Sequence, residues 1–291
     1  MGTLLVGCGT TTATKPTTTE KPGKVVIGSK QFSEQYVLGY IMAEILKAKT
    51  KLEVDDSKVG MGPTELLTPA MEKGQIDMYP EYTGTGLTVV LKQPVEYDKQ
   101  KVYDKVKAGY EATYKMTWLT PFGFEDTFAI GVREATAKEL NLVTLSDLAK
   151  HPELIFLGDE TTWTREDQYP GLQKVYGFTN KNKKTMDINL KWAALEKKEV
   201  DIIPAFSTEG SLKKYNVTVM KDDKSFFPPY DCAIVIRQET LAKYPEINDA
   251  LKPLFGAINE KDMIDMNYQV DVEHKDAKEV AKAFLKGKGL I

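Results

Sequence analysis

The chain has 291 residues, 42% hydrophobic and 28% charged, with a formal net charge of −3. That mix is ordinary for a folded globular chain, and the length suits one large domain or two of common size. The lack of a basic excess argues against a nucleic-acid partner, and no apolar run approaches the roughly 20 residues of a spanning helix.

In chain order, the amino-terminal segment 1–23 differs in kind from the rest. Thr10 to Pro22 is rich in Thr, Lys and Pro and nearly free of apolar residues. Such a stretch buries too little surface to offset its ordering entropy, so it is expected to be a flexible tether. Leu5-Val6-Gly7-Cys8 resembles the lipobox of bacterial lipoproteins, with Cys8 as the acylated residue, although the usual basic region and full apolar stretch are missing before it. Cys232 is the one other cysteine, and its surroundings, Asp231-Cys232-Ala233-Ile234-Val235, make it a small buried hydrophobe on a strand.

The folded part opens with a β-branched strand, Val25-Val26-Ile27, broken at Gly28. Ser33 is the expected N-cap of a helix reaching Lys49, with Val37, Tyr40, Ile41 and Ile45 on one face. A second αβ unit covers 64–79, and 94–117 reads as helix. The strand Thr127 to Val132 follows a turn-like passage around Phe122-Gly123-Phe124. A middle block then holds a helix near Leu145–Lys150, a strand from Leu154 to Leu157 and a loop from Gly158 to Gly171. Phe226-Phe227-Pro228-Pro229-Tyr230 precedes another strand, Cys232 to Arg237, and helices fill the remainder.

One stretch occurs twice. Residues 70–86 (AMEKGQIDMYPEYTGTG) align without a gap to 194–210 (ALEKKEVDIIPAFSTEG), matching Asp77 with Asp201, Pro80 with Pro204 and Gly86 with Gly210. The spacing is too long for a solenoid repeat. Each copy reads as a helix end followed by a short strand, Ile76 to Met78 or Val200 to Ile203. Each strand is expected to break at the proline and to deliver an aromatic residue, Tyr82 or Phe206, just past its carboxyl end. In open α/β sheets that is where ligands bind. The pattern predicts an α/β chain of two lobes. Lobe 1 comprises 24–124 and 233–291 and lobe 2 comprises 125–232, joined by a two-segment hinge near 121–126 and 226–232.

Catalytic machinery is harder to find. His151 and His274 are the only histidines and neither has a partner at metal-ligand spacing, so no metal site is expected. The nucleophile elbow, the P-loop and the dinucleotide fingerprint are all missing, and no cofactor is implied. The chain reads as a binding protein and not an enzyme. Tyr82, Phe128, Phe206 and Tyr230 lie beside the repeat or the crossovers, and four rings converging from two lobes make a box for a quaternary ammonium, held by cation–π attraction.

Several blocks carry a resemblance. Gly28-Ser29-Lys30-Gln31-Phe32-Ser33-Glu34-Gln35, Asp77-Met78-Tyr79-Pro80-Glu81-Tyr82-Thr83-Gly84-Thr85, Gln168-Tyr169-Pro170-Gly171-Leu172, Phe206-Ser207-Thr208-Glu209-Gly210 and Phe226-Phe227-Pro228-Pro229-Tyr230 occur in this order. Together they resemble the osmoprotectant-binding lipoproteins of ABC importers, which bind glycine betaine, carnitine, choline and similar compounds. The resemblance spans 24–291 and implies a type II periplasmic-binding-protein fold, a membrane permease as partner and a monomer. It also implies an extracytoplasmic location, on the surface of a Gram-positive cell if Cys8 carries a lipid anchor. The family's cage falls on Tyr82, Phe128, Phe206 and Tyr230, and Gln35, Thr85 and Thr208 match positions that contact the ligand's polar end. Phe128 and Phe206 stand where the family commonly has Tyr. Glu125 and Asp126 stand where it commonly has two asparagines. Either carboxylate, if it faces the cleft, favours a plain cation such as choline over a carboxylate-bearing betaine; if both face solvent they carry no such information. A different small polar ligand, an amino acid or a trimethylated histidine derivative, is the second reading, and an enzyme on a similar two-lobed fold the third.

Overall fold

The computed structural model describes residues 1–2, 23–165 and 168–291. The expected tether and the lipidation site at Cys8 lie outside the described residues. The ten strands found among those residues are β1 (Lys24–Gly28), β2 (Glu53–Lys58), β3 (Met78–Tyr82), β4 (Met116–Trp118), β5 (Phe128–Arg133), β6 (Phe156–Gly158), β7 (Lys183–Thr185), β8 (Ile202–Phe206), β9 (Val217–Val219) and β10 (Cys232–Arg237). They form two five-stranded sheets, ordered β2-β1-β3-β10-β4 and β7-β6-β8-β5-β9. In each sheet the repeat strand, β3 or β8, lies parallel to one neighbour and antiparallel to the other. The chain leaves the first sheet after β4 and returns to it at β10. Those two connections touch, through an antiparallel bridge between Glu125 and Asp231.

The internal repeat is a repeat of architecture. The Asp77 carboxylate accepts from the Val26 amide at 2.8 Å, and the Asp201 carboxylate accepts from the Ile155 amide at 2.9 Å. Each acid also pairs with an arginine at the end of the antiparallel neighbour, Asp77 with Arg237 and Asp201 with Arg133. One carboxylate thus ties three segments together at the base of each repeat strand.

The strands differ in one respect from the sequence expectation. Neither breaks at its proline: β3 runs through Pro80 to Tyr82, and β8 through Pro204 to Phe206. Proline is disfavoured in central strands because it cannot donate to the ladder. Here β1 pairs with β3 only at Ile27↔Met78, and β6 with β8 only at Phe156↔Ile202. Pro80 therefore lies past the end of β1, where that side of the ladder needs no N–H, and Pro204 lies two residues beyond the one registered pair between β6 and β8. Consequently Tyr82 and Phe206 are the last residues of their strands and do not lie beyond them.

The first helix, Ser33–Lys49, buries Val37, Leu38, Ile41, Met42 and Ile45 between the first sheet and the carboxyl-terminal helices, of which Ala277–Gly287 supplies Val280, Ala281 and Leu285. Ser33 is not its N-cap: Phe32 occupies that position without a side-chain cap, and the Ser33 hydroxyl donates to Asp271 instead. The helix expected over 94–117 is shorter, Lys99–Tyr114, capped by Asp98 accepting from the Lys101 amide at 2.9 Å; Met116–Trp118 is strand. Around the second sheet the core is aromatic, with Phe156, Tyr169 and Phe178 packed edge to face. Cys232 is fully buried on β10, as a small apolar residue would be.

Candidate functional site

A cavity of about 680 Å³ lies where the tips of β3 and β8 meet the two crossovers. Volumes of this order are usual for small-molecule sites. Its walls come from both sheets. Tyr82 ends β3, Phe128 begins β5, Phe206 ends β8, and Tyr230 lies two residues before β10; all four line the cavity. Phe128 and Phe206 are register partners in neighbouring strands, and their ring centroids are 5.0 Å apart. Tyr82 is register partner of Cys232, which brings the approach to β10, and Tyr230 with it, alongside the end of β3. Gly84 permits this. A Cβ there would sit 2.6 Å from the Tyr230 ring, so any side chain at 84 would displace it.

The exposures of the rings differ. Phe206 is 42% exposed, whereas Tyr82 is only 4% exposed. The Lys30 ammonium lies over the Tyr82 ring, 4.6 Å from its centroid, and Phe32 stacks beside it at 6.4 Å. Lys30 is itself paired with the buried Glu81, whose carboxylate also accepts from the Thr64 hydroxyl at 2.6 Å and the Tyr82 amide at 2.7 Å. A resident cation and a phenyl ring thus hold Tyr82 in place.

The polar wall was only partly foreseen. Thr85, Asp126 and Thr208 line the cavity. Gln35 does not. It is fully buried behind the turn, where its side-chain oxygen accepts from the Lys30 amide at 3.3 Å. Nor does Glu125, whose carboxylate reaches away to Lys99 at 2.7 Å. Alternation along the extended crossover sends neighbouring side chains to opposite sides, so only one of the two acids can face inward. Sequence reasoning missed Glu34, Asn267, Lys30 and Phe32. Lys30, Phe32 and Glu34 lie in the same sequence block as Gln35, and Glu34 directly precedes it. Asn267 carried no signal, since it lies far along the chain on the helix Glu260–Asp271.

Glu34 is 2% exposed. One of its oxygens accepts from the Tyr82 hydroxyl at 2.6 Å, the other from the Asn267 amide nitrogen at 3.1 Å. The same nitrogen donates to the Thr208 carbonyl at 2.8 Å, and the Thr208 hydroxyl donates to Asp126 at 2.9 Å. Burial, and then the charge of Asp126, push Glu34 up to about 8, against the pull of its hydrogen bonds. Burial also lifts Asp126, to about 6, with the Thr208 hydroxyl opposing the shift. Burial raises the Tyr82 hydroxyl as well, so it stays a donor. The described residues hold no cluster of metal-binding side chains. The arrangement is an apolar ring face joined to an acidic, hydrogen-bonded floor, suited to holding a small cationic group.

Comparison with known proteins agrees with this geometry. A family model described as the substrate-binding domain of ABC-type glycine betaine transport systems (OpuAC) matches residues 23–287. The chain belongs to this family. It is 38% identical over 273 residues to an ergothioneine transport permease/ergothioneine binding protein, EgtU, of Helicobacter pylori; the match covers 93% of this chain and 48% of that protein. This chain therefore spans about half the length of that relative. Over 262 residues it is 33% identical to the carnitine transport binding protein OpuCC of Listeria monocytogenes, covering 89% of this chain and 85% of that one. A solved structure of a glycine betaine/carnitine/choline ABC transporter protein superimposes with a TM-score of 0.86 at 31% identity, covering 91% of this chain and 99% of the other. The fold is accordingly that of the OpuAC-type binding proteins, two α/β lobes, one built on each sheet.

Proposed function

We propose that this chain captures a quaternary ammonium compound outside the cytoplasm and delivers it to an ABC permease in the membrane. The ligand's trimethylammonium group sits against Tyr82, Phe128, Phe206 and Tyr230, with Asp126, Thr85 and Thr208 beside its polar end. The observation that carries this reading is the meeting of these four rings, from both sheets, on one cavity with an acidic floor. Such a cation offers no N–H to a hydrogen-bond acceptor, so ring faces and diffuse negative charge are what recognise it. Gln35 and Glu125 are left out of the contact set because neither lines the cavity. We place the lobe limits at 24–124 with 233–291 and at 125–232, and assign the protein as a monomer tethered through Cys8 to the surface of a Gram-positive cell. No catalytic step is proposed, in keeping with relatives named as transport binding proteins.

A trimethylated histidine derivative such as ergothioneine is the second reading, favoured by the 38% identity to the Helicobacter protein. Its ring N–H groups would find acceptors in Asp126 and Glu34. A thermal-shift screen of choline, glycine betaine, carnitine, ergothioneine and common amino acids separates the readings, because a ligand of the native state raises the melting temperature. A shift with amino acids alone, and with none of the quaternary compounds, rules out the cage.

A further inference from the structure

Four carboxylates line this cavity, Glu34, Asp126, Glu209 and Asp271; Glu209 is paired with Lys191, and among the described residues no basic side chain pairs with Glu34. Lys30, at the same cavity, is engaged by Glu81. Facing Glu34 are the Tyr82 hydroxyl from β3, Asn267 from the helix Glu260–Asp271, Thr208, Asp126 and, on β10, the buried Cys232 thiol. Facing Asp126 are Thr208, Glu209, Lys30 and Glu34. Asp271 lies farther out on the lining, held by Ser33. Two acids shielded from water in one site, here Glu34 and Asp126, do not both ionise readily, so the ligand-free site is expected to retain a proton near neutral pH. A cation entering the ring box replaces that proton electrostatically. A zwitterion brings its own carboxylate instead, and then a neutral Glu34 spares it repulsion from a second negative charge.

We propose that Glu34 is the residue that sets the net charge of the ligand this cavity accepts, keeping its proton against a carboxylate-bearing betaine and releasing it to water when a net cation such as choline enters. The proposal rests on the quaternary-ammonium reading and deepens it. Burial and charge, not hydrogen bonds, say why Glu34 and not Asp126 is the proton holder: Glu34 is 2% exposed with no basic partner among the described residues, whereas Asp126 is only partly buried. Asp126 already receives the Thr208 hydroxyl at 2.9 Å, in a site that also feels the Lys30 charge, whereas Glu34 lies deeper and is lifted further. With Glu34 lifted further than Asp126, the pair is expected to hold one proton below the titration of Glu34 and none above it. The sign follows by linkage: a ligand that prefers the ionised form binds more tightly as pH rises, and one that prefers the protonated form binds less tightly.

Calorimetry of the wild-type chain with choline and with glycine betaine, from pH 6 to 9 in buffers of different ionisation enthalpy, tests this without any variant. Choline affinity should rise with pH, by at most about tenfold per unit, with net proton release near pH 7. Glycine betaine affinity should hold or fall, with no release. Glu34→Gln should remove the proton release and flatten the choline-to-betaine ratio across pH. A wild-type ratio that does not change with pH overturns the role of Glu34 while leaving the cage intact. So does a Glu34→Gln variant that binds and keeps the wild-type pH profile. Failure of every quaternary ammonium compound to bind at any pH removes the cage reading and this one with it.

Discussion

At the residue scale, the cavity's rings divide into those open to a ligand and those that are themselves held. Tyr82 is clamped by Lys30 and Phe32 and anchored through its hydroxyl to Glu34. Its replacement would disturb the acidic floor as well as the cage. Phe206 and Tyr230 are the cleaner probes. Phe206 is substantially exposed at the end of its strand, and Tyr230 lies in a crossover against Gly84. Phe206→Ala and Tyr230→Ala should each weaken quaternary-ammonium binding by about 1–2 kcal/mol, as expected for a partly desolvated cation–π contact. Their melting temperatures without ligand should stay close to wild type. Unaltered affinity in both variants, measured by calorimetry, would remove the cage. The four rings were legible in the sequence because a repeat and two punctuated crossovers mark strand ends. Their acidic counterpart was not, because Glu34 sits in a helix start where an acid is ordinarily a surface residue complementing the helix dipole.

At the element scale, the repeat was legible as two αβ units, yet its strand ends were misplaced. A proline ordinarily stops a central strand, and only tertiary register reveals that the registered parallel pairing lies before Pro80 and Pro204. The equivalence of Asp77 and Asp201 could be read as a match of letters, but not their shared task of binding an arginine from a strand that enters from elsewhere in the chain. The second copy also ends in a contact that no local pattern encodes. A Cβ on Gly210 would lie 2.5 Å from the Tyr268 backbone nitrogen and 2.7 Å from the Asn267 carbonyl carbon. This places the turn after β8 directly on the helix Glu260–Asp271, which packs with the other sheet. Thr208 reaches Asn267 there, and Lys213 pairs with Asp265 at 2.6 Å. Because backbone cannot yield as a side-chain tip can, Gly210→Ala should push the two lobes apart at this seam. Ligand affinity should fall several-fold or more, while the ligand-free melting temperature changes little, since each lobe keeps its own core. Wild-type affinity in Gly210→Ala would show that the seam opens without consequence for the site.

At the scale of the whole molecule, the cavity has the two crossovers on one side and this seam on the other. The two crossovers form an antiparallel bridge at Glu125 and Asp231, and Lys99 pairs with both at 2.7 Å. Burial raises Asp231 to about 6, with Lys99 opposing the shift. Joined in this way, the two connecting segments are expected to bend as one unit, which would favour rotation of one lobe about a single axis over independent flexing of two linkers. Tyr82 ends a strand of one sheet, Phe206 ends a strand of the other with Thr208 just beyond it, and Asp126 and Tyr230 lie on the two crossovers. A ligand touching all of them is in full contact only when the lobes are together, and its binding energy therefore favours the closed arrangement. Small-angle scattering should accordingly give a smaller radius of gyration with saturating choline or glycine betaine, whichever binds more tightly, than without ligand. Gly210→Ala at saturating ligand should remain closer to the ligand-free value. The paired measurement separates closure from mere occupancy: calorimetry establishes that the site is filled, and scattering reports whether the lobes have moved. An unchanged radius in a saturated wild-type sample would mean that the lobes already stand together in the empty protein, and the crossover bridge with its Lys99 brace would then be a rigid strut.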